Sequence, residues 1–299
     1  MKLAAIDIGS NAVRCQISSV LNQHGKVIFK RIEYIRYPIR FGEDVFKAGY
    51  ISEAKIVKFI KLMHACKLLI DVHEVDHLMI CATSAMRSAL NAPDILARVQ
   101  ETLGMHIQVI DGEMEAELIN KVIVNFLDDQ NYLHIDVGGG STEFNFYVNR
   151  DKVASRSFEQ GSIRHMHGRD SEELWNNMRH WIEVNSQNYK PACAIGTGGN
   201  INKIFEMARK PMGLPVLRSE IEAVVSSIAS LTMEERLTNL LLNPDRADVI
   251  LPAAEIYLSA MKWAGIESMQ VPAVGLKDGM LTALYEQQHP EKFIIRSIK

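Results

Sequence analysis

The chain carries one short motif twice, and this repeat limits the possible folds more than any other feature of the sequence. The first copy runs from Ala4 to Asn11 and the second from Leu133 to Glu143. Each is a largely apolar run with an aspartate two residues before a glycine, which predicts a strand, a tight turn and a second strand. A supersecondary unit that occurs twice indicates two similarly built halves.

The order of the predicted elements also repeats. Apolar periodicity over residues 1–127 predicts three strands followed by alternating helices and strands, and from Asn131 the same order begins again. Alternation of this kind predicts an α/β fold. A chain of 299 residues is long enough for two domains of ordinary size. We therefore expect an N-terminal domain at 1–127 and a C-terminal domain with additional helices at 128–299.

Composition limits the class of protein. Hydrophobic residues make up 47% and charged residues 23% of the chain, and no apolar stretch approaches the length that crosses a bilayer, so we expect no membrane partner. The N-terminus does not have the pattern of a signal peptide. The four cysteines lie far apart, without the spacing of a zinc or redox motif. We therefore expect a cytoplasmic protein with reduced thiols.

The balance of charge is slightly acidic. A formal net charge of -3 argues against a protein that coats nucleic acid, which would usually be basic, and we expect no nucleic-acid partner. A polyanionic ligand would therefore have to be held by local arginines, backbone amides and a metal ion.

Two carboxylates flank the second glycine turn. Asp136 ends one predicted strand and Glu143 begins the next, so a hairpin that closes through Gly138, Gly139 and Gly140 places both at one edge of a sheet. Like charges so placed repel unless a cation lies between them, and Mg²⁺ accepts one or two carboxylates together with water and phosphate oxygens. The glycines alone fit an ordinary hairpin turn equally well, and the two carboxylates favour a metal site.

A third glycine turn, at residues 196–200, follows a predicted strand and opens a predicted helix. Such a turn directs backbone N–H groups and the positive end of a helix dipole at one point, which suits a phosphate. The turn lacks the last glycine of the dinucleotide-binding fingerprint, and the chain has no Gly-x-x-x-x-Gly-Lys motif. A plain helix start is the alternative interpretation.

Other charged residues have ordinary explanations when they are considered one at a time. Glu113, Glu115 and Glu117 fall in the first turns of a predicted helix, where acidic residues stabilise the helix dipole without any chemistry. Surface arginines and histidines at helix starts are equally ordinary, and this applies to Arg14, Arg87, Arg164, His165 and His167.

Taken together and in order, the motifs resemble those of the exopolyphosphatase/guanosine pentaphosphate phosphohydrolase family, a branch of the actin-like and sugar-kinase ATPase superfamily. Any one of the motifs is a weak signal, whereas the ordered set is specific. The segments that carry the resemblance span nearly the whole chain: Ala5–Asn11 with Arg14, Ala82–Arg87, Gly112–Ala116, Asp136–Glu143, Gly161–Arg164 and Gly196–Gly199.

The resemblance implies two ribonuclease-H-like domains with a central cleft, and it assigns roles to particular residues. Glu115 falls on the family's catalytic glutamate, which orients or deprotonates the attacking water, and Arg87 falls on its phosphate-gripping arginine. Asp136 and Glu143 fall on the carboxylates that hold Mg²⁺ or Mn²⁺, and Asp7 is expected to contribute to the metal site through water. The expected phosphate-binding residues are Ser10, Asn11, Arg14, Gly138, Gly139, Gly140, Ser141, Gly198, Gly199 and Asn200.

Two residues depart from the family pattern. Asn200 stands where threonine usually follows the glycine pair, and Met114 stands where a second glutamate often precedes the catalytic one. The first departure affects phosphate contacts, and the second affects only a supporting charge. Larger relatives also carry an additional helical region, which we do not expect in this protein.

The implied activity is hydrolysis of a terminal phosphoanhydride. We expect an exopolyphosphatase that prefers short polyphosphate chains, because 36 acidic against 33 basic residues leave little basic surface for a long polyanion. The alternatives are a guanosine pentaphosphate phosphohydrolase and a catalytically idle protein that senses phosphate or nucleotide. The presence of Glu115, Asp136 and Glu143 argues against the idle protein. Relatives often form dimers, so a homodimer is a further expectation.

Overall fold

A computed structural model of the protein describes residues 1–23, 26–168 and 171–290. The chain forms two compact units. The first consists of Met1–Ile123 together with the segment that begins at Gly275, and the second is Val124–Val274. Each unit is built around one sheet within the described residues.

The sheet of the first unit has three antiparallel strands followed by parallel ones. Its strands are β1 (Lys2–Ile8), β2 (Val13–Gln23), β3 (Lys26–Tyr37), β4 (His77–Ala82) and β5 (Gln108–Val109). Their order is β3-β2-β1-β4-β5, in which β1 pairs antiparallel with β2 and parallel with β4. This is the strand order of a ribonuclease-H-like domain. Because β1 is central and buried along nearly its whole length, its sequence is an almost unbroken apolar run.

The helices of the first unit that the structure describes before Val124 are α1 (Phe41–Ala48), α2 (Glu53–Val72), α3 (Ser84–Ser88), α4 (Ala92–Leu103) and α5 (Gly112–Ile123). The longest of them, α2, follows directly from its sequence, because its apolar residues recur at helical spacing and the same residues are buried. Phe59 of this helix packs edge-on against Phe41 of α1, with ring centroids 5.2 Å apart. The buried residues of α2 are Ile56, Phe59, Met63, Cys66 and Ile70.

The second unit repeats the strand order of the first and adds one short strand at an edge. Its strands are β6 (Tyr132–Val137), β7 (Thr142–Val148), β8 (Asp151–Phe158), β9 (Cys193–Thr197), β10 (Val216–Leu217) and β11 (Ser268–Gln270). Their order is β10-β11-β9-β6-β7-β8, so β8-β7-β6-β9-β11 corresponds to β3-β2-β1-β4-β5. The predicted α/β fold with two ribonuclease-H-like domains is confirmed.

The helices of the second unit cover one apolar face of this sheet. Phe144 and Phe146, two residues apart on β7, both contact the ring of Trp181, with centroids 6.4 Å and 5.6 Å away. Residues of β7 that alternate with them point to the opposite face. The helical segments are a 3-10 turn (Val124–Phe126), α6 (Ser162–Met166), α7 (Glu172–Tyr189), α8 (Gly199–Met207), α9 (Arg218–Ala229), α10 (Met233–Thr238), α11 (Pro244–Ala247) and α12 (Ile250–Ala264).

The last helix of the described residues, α13 (Leu276–Gln288), packs in the first unit, which corrects the expected domain division. The sequence placed the boundary at 127/128 and assigned this helix to the C-terminal domain. Met280 and Leu281 instead share one core with Leu3 of β1 and Leu118 of α5. A Cβ at Gly279 would collide with the carbonyl of Leu118, so glycine allows the two helices to approach closely. The local pattern of α13 shows that one face needs an apolar partner but not which half supplies it.

No helix among the described residues combines the length and the apolar character that a membrane-spanning segment needs. All four cysteines are buried and free of disulfide bonds: Cys15, Cys66, Cys81 and Cys193.

Candidate active site

Asp7 and Arg14 face each other across the first glycine turn. They are register partners in the β1–β2 hairpin, and Nη1 of Arg14 donates to Oδ2 of Asp7 at 2.9 Å. The positive charge of Arg14 offsets the free-energy cost of burying the Asp7 carboxylate. Ser10 lies in the same turn, with Oγ 2.8 Å from Oγ of Ser84, and the carbonyl of Asn11 accepts a hydrogen bond from the Arg40 N–H. The structure therefore brings together the site residues that were predicted around this turn.

Arg87 and Glu115 lie close together in the same unit. Arg87 is in α3, directly after β4, and its Nη1 is 4.0 Å from Oε2 of Glu115 on α5. Arg87 also donates a hydrogen bond to the carbonyl of Ile110, which fixes the guanidinium beside the start of α5. The two side chains are 29% and 16% exposed. A carboxylate and a guanidinium are thus held next to each other with limited access to solvent.

The structure distinguishes Glu115 from the other two glutamates at the start of α5. Glu113 and Glu117 are exposed, whereas Glu115 is partly buried. The helix start is capped by Asp111, whose Oδ1 accepts a hydrogen bond from the Met114 N–H at 2.8 Å. Because the cap and the exposed glutamates already provide negative charge near the helix N-terminus, stabilisation of the helix dipole does not account for the burial of Glu115.

Asp136 and Glu143 are directly opposite each other in the β6–β7 hairpin. Residues in this relation have Cβ atoms about 5 Å apart on the same face of the sheet. Glu143 is buried and its Oε1 accepts a hydrogen bond from Ser157 Oγ at 2.8 Å. The sequence-based prediction that the hairpin brings these two carboxylates to one place is confirmed by this register.

A buried tyrosine connects the second and third glycine turns. The hydroxyl of Tyr257, on α12, accepts a hydrogen bond from the N–H of Val137 at 3.2 Å and donates one to the carbonyl of Thr197. Val137 precedes Gly138, and Thr197 precedes Gly198. Burial raises the pKa of Tyr257 well above its usual range, and the nearby charges of Asp136 and Glu143 raise it further, so the hydroxyl keeps its proton.

The third turn requires glycine at its centre. Gly198 has a φ of +120°, and a Cβ there would lie 2.8 Å from the Tyr257 hydroxyl and 3.0 Å from the Val137 carbonyl. Gly199 and Asn200 follow in the first turn of α8. The close contact between Gly198 and the end of β6 places this turn beside the second one, so the predicted phosphate-binding residues of both turns lie at one edge of the sheet.

A chain of buried polar side chains lies on the same face as the two carboxylates, and the sequence interpretation did not identify it. His134 accepts a hydrogen bond at Nδ1 from Asn145 Nδ2 (3.0 Å), and its Nε2 is 2.8 Å from Thr197 Oγ1. Because an amide nitrogen only donates, the imidazole proton is on Nε2. Ser155 Oγ donates to Asn145 Oδ1 at 2.7 Å. The signal was present in the sequence: polar residues two apart in otherwise apolar strands, at 134 and 136 and again at 143 and 145.

His134 makes the stability of the second unit dependent on pH. Burial lowers the pKa of His134 to about 3, whereas an unfolded histidine titrates near 6.5. The unfolded chain therefore takes up a proton below pH 6.5 that the folded chain does not. The stability that the neutral, buried His134 contributes is present above pH 6.5 and is lost as the pH falls from there towards 3. Between pH 7 and pH 5 the expected loss of stability is about 2 kcal/mol.

Urea unfolding followed by tryptophan fluorescence measures this effect, because the three tryptophans, Trp175, Trp181 and Trp263, all lie in the second unit. In the wild type the free energy of unfolding should fall between pH 7 and pH 5, and in the His134→Gln variant this fall should be smaller by about 2 kcal/mol. His180→Gln is the matched control, since His180 is exposed on α7 of the same unit. Equal pH dependence in both variants would contradict the assignment.

The carboxylate pair Asp136 and Glu143 fits a hard divalent cation. The described part of the chain contains no group of three or more His, Cys, Asp or Glu side chains placed to hold a metal ion. Mg²⁺, however, needs only one or two carboxylates and takes its other ligands from water and phosphate. The two side chains supply oxygen donors on one face of the sheet.

Three comparisons relate the chain to known proteins. Residues 17–288 match the Ppx/GppA phosphatase family. Over an alignment of 322 positions the chain is 22% identical to exopolyphosphatase 1 of Mycobacterium tuberculosis, with 99% of this chain and 92% of that protein covered. It is also 32% identical, over 167 residues, to the bifunctional 3-dehydroquinate synthase/phosphatase of Fusobacterium nucleatum, covering 54% of this chain but only 25% of that protein. The chain thus spans about a quarter of the length of this larger relative.

Solved structures with the same fold cover nearly the whole chain. A Ppx/GppA family member from Aquifex aeolicus superposes with a TM-score of 0.76 at 25% identity, covering 97% of this chain and 99% of that one. An exopolyphosphatase from Cytophaga hutchinsonii superposes with a TM-score of 0.82 at 23% identity, covering 96% of this chain and 97% of that one. The second similarity concerns the fold alone.

Proposed function

Because the chain belongs to the Ppx/GppA phosphatase family, we propose that it is an exopolyphosphatase that removes terminal phosphate from short polyphosphate chains. Membership makes it a hydrolase of phosphoanhydride bonds; the substrate and the roles of the residues are the proposal. The observation that carries the proposal is the pairing of Glu115 with Arg87. This reaction needs a group that orients water and a group that binds phosphoryl oxygens, and the pair supplies one of each.

In the proposed mechanism Glu115 accepts a hydrogen bond from the attacking water and holds or removes its proton. Arg87 binds non-bridging oxygens of the terminal phosphate through its planar guanidinium. Its hydrogen bond to the Ile110 carbonyl keeps the guanidinium in place before substrate arrives. Positioning of this kind accounts for much of the rate enhancement in phosphoryl transfer.

Backbone amides are proposed to bind the remaining phosphate oxygens. They belong to the glycine turns at Ser10 and Asn11, at Gly138–Ser141 and at Gly198–Asn200. We propose that Asp136 and Glu143 hold Mg²⁺ or Mn²⁺, with Asp7 contributing through water; when bound, the ion neutralises charge on phosphate and leaving-group oxygens. Because the charge of Asp7 is already paired with Arg14, we propose that Asp136 and Glu143 contribute more to metal binding than Asp7 does.

The proposed location is the cytoplasm. The four cysteines are all free, and two of them, Cys15 and Cys66, are buried in the core of the first unit. A reducing compartment keeps such thiols in the form that the structure has.

The test is a comparison of substrates with the purified full chain. Phosphate release is measured from polyphosphate of defined lengths, guanosine pentaphosphate and ATP, each with Mg²⁺ and with Mn²⁺. A mock purification from cells that do not express the protein measures contaminating phosphatase activity. We expect the fastest release from short polyphosphate. Release from guanosine pentaphosphate alone would support the second candidate activity, and binding without release would support a sensing protein.

Product length tests the proposed preference for short chains. With 36 acidic and 33 basic residues, few ion contacts are expected to hold a long polyanion after each cleavage. The enzyme should therefore release its product often and shorten the whole population gradually, which gels taken during hydrolysis show as intermediate lengths. Full-length polymer that persists beside free phosphate, without intermediates, would show processive hydrolysis and contradict this part of the proposal.

A further inference from the structure

The short helix α6 binds the second glycine turn through three consecutive carbonyls. The backbone N–H of Ser162 donates to the carbonyl of Gly138 at 2.9 Å, and that of Ile163 donates to Gly139 at 2.8 Å. The carbonyl of Gly140 accepts a hydrogen bond from Nε of the Arg164 side chain at 2.8 Å. Ser162 Oγ adds a second hydrogen bond to the Gly138 carbonyl at 3.2 Å, beside the backbone contact there. The contact with the Gly140 carbonyl is made by a side chain, so the identity of residue 164 decides how that carbonyl is held.

The helix reaches the turn only because glycine precedes it. A Cβ at Gly161 would stand 2.5 Å from the carbonyl carbon of Gly139 and 2.5 Å from the nitrogen of Gly140. The backbone at Gly161 is extended, with φ of -142°, so the requirement for glycine is steric contact and not an unusual conformation. The two segments are therefore packed backbone against backbone.

This arrangement fixes the direction of the turn's N–H groups. In a planar trans peptide the C=O of one residue and the N–H of the next point in opposite directions. Carbonyls held towards α6 at 138, 139 and 140 therefore direct the N–H groups of Gly139, Gly140 and Ser141 away from α6. Successive N–H groups directed to one side form a concave site for an anion.

We infer that Arg164 is a positioning residue, which holds the Gly140 carbonyl against α6 so that the N–H of Ser141 is aimed at a substrate phosphate. The inference rests on the proposed function of the turn as a phosphate-binding element. The side chain of Arg164 is only 16% exposed, and its Nη2 lies 3.6 Å from Oε2 of Glu159. Its guanidinium is therefore engaged within the protein, and its effect on substrate passes through the orientation of the turn.

Substitutions at position 164 separate this role from direct binding of phosphate by the guanidinium charge. In glutamine, Nε2 is attached to Cδ, as Nε is in arginine, so Arg164→Gln keeps an uncharged N–H donor at the same distance along the side chain. Arg164→Met has similar length and no donor, and Arg164→Lys keeps the charge. Arg179→Met is the control, because Arg179 is an exposed arginine on α7 of the same unit that pairs with Glu183.

The measurements are KM and kcat on short polyphosphate and, independently of activity, the Kd for inorganic pyrophosphate by calorimetry. We expect Arg164→Met to raise KM and Kd about tenfold with a smaller change in kcat, the effect of losing one hydrogen bond to a charged group. Arg164→Gln should stay within about threefold of the wild type, as should Arg179→Met. Tryptophan fluorescence verifies that the second unit of each variant is folded.

The opposite pattern would overturn the inference. If Arg164→Lys binds pyrophosphate like the wild type while Arg164→Gln is as weak as Arg164→Met, the charge acts on the substrate directly. Unchanged Kd in Arg164→Met, or no pyrophosphate binding by the wild type, would also contradict the inference. If Arg164→Met does not fold, the comparison of the glutamine and lysine variants decides. An inactive wild type that still binds pyrophosphate more tightly than Arg164→Met would refute the proposed hydrolysis but not the role of Arg164.

Discussion

We expect the Glu115→Gln variant to release phosphate from polyphosphate about two to four orders of magnitude more slowly than the wild type, the usual cost of losing a positioned general base. Glutamine has nearly the same shape, so the helix and the neighbouring Arg87 should keep their places. The fall should appear in kcat, with little change in KM, because the water-activating interaction contributes to the transition state more than to substrate binding. Steady-state kinetics at saturating Mg²⁺ measure it.

Glu117→Gln is the matched control for this experiment. It makes the same change of charge on the same helix, two residues away, at an exposed position. It should therefore retain activity within a few-fold of the wild type. If Glu115→Gln behaves like Glu117→Gln, then Glu115 is one more acidic residue near a helix N-terminus, and the chemical role proposed for it is wrong.

The strands of both units could be predicted from the sequence because their patterns are local. The glycine turns mark the hairpins, and the apolar runs before Asp7 and Asp136 mark the central strands, which are buried on both sides. The periodicity of α2 likewise predicts which of its residues are buried. In each case residues adjacent in the sequence carry the whole signal.

The position of α13 could not be predicted in this way. Its apolar face is visible in the sequence, but its partners are Leu3 and Leu118, and the return of the chain to the first unit is a long-range event. The same limit applies to Glu115. Helical spacing separates it from Glu113 and Glu117, yet only the fold shows that its face of α5 meets Arg87 of α3.

The buried polar chain through His134 was missed for a related reason. Its members come from four strands, and each residue alone is an unremarkable polar position in its strand. Burial in the folded protein shows that these residues belong together, because buried polar groups require hydrogen-bond partners. Here each partner is supplied by a neighbouring strand. Alternation of polar residues at 134, 136, 143 and 145 was the available signal.

The second large effect is expected at the carboxylate pair. Asp136→Asn and Glu143→Gln should each weaken the apparent affinity for Mg²⁺ tenfold or more, on the order of the losses seen at metal sites when a supporting group is removed. A ligand that binds only the folded state stabilises it by about 2.7 kcal/mol at a hundred times its Kd, and a tenfold loss of affinity removes about 1.4 kcal/mol of this. Unfolding followed by tryptophan fluorescence reports the change in the second unit without requiring activity.

The stability of these variants without metal distinguishes a metal-binding role of the two carboxylates from a purely structural one. Two opposed carboxylates repel when no cation is bound, so both variants should be as stable as the wild type in chelator, or more stable, and less stable than it in Mg²⁺. Asp151→Asn is the control, because Asp151 is exposed and lies at the opposite end of the β7–β8 pairing from Glu143. It should leave the Mg²⁺-dependent stabilisation unchanged. The affinity of a hard cation held by this pair must fall when either charge is removed. Equal stabilisation by Mg²⁺ in all three variants would therefore place the metal elsewhere, and phosphate release that is insensitive to chelation would exclude the metal from the reaction.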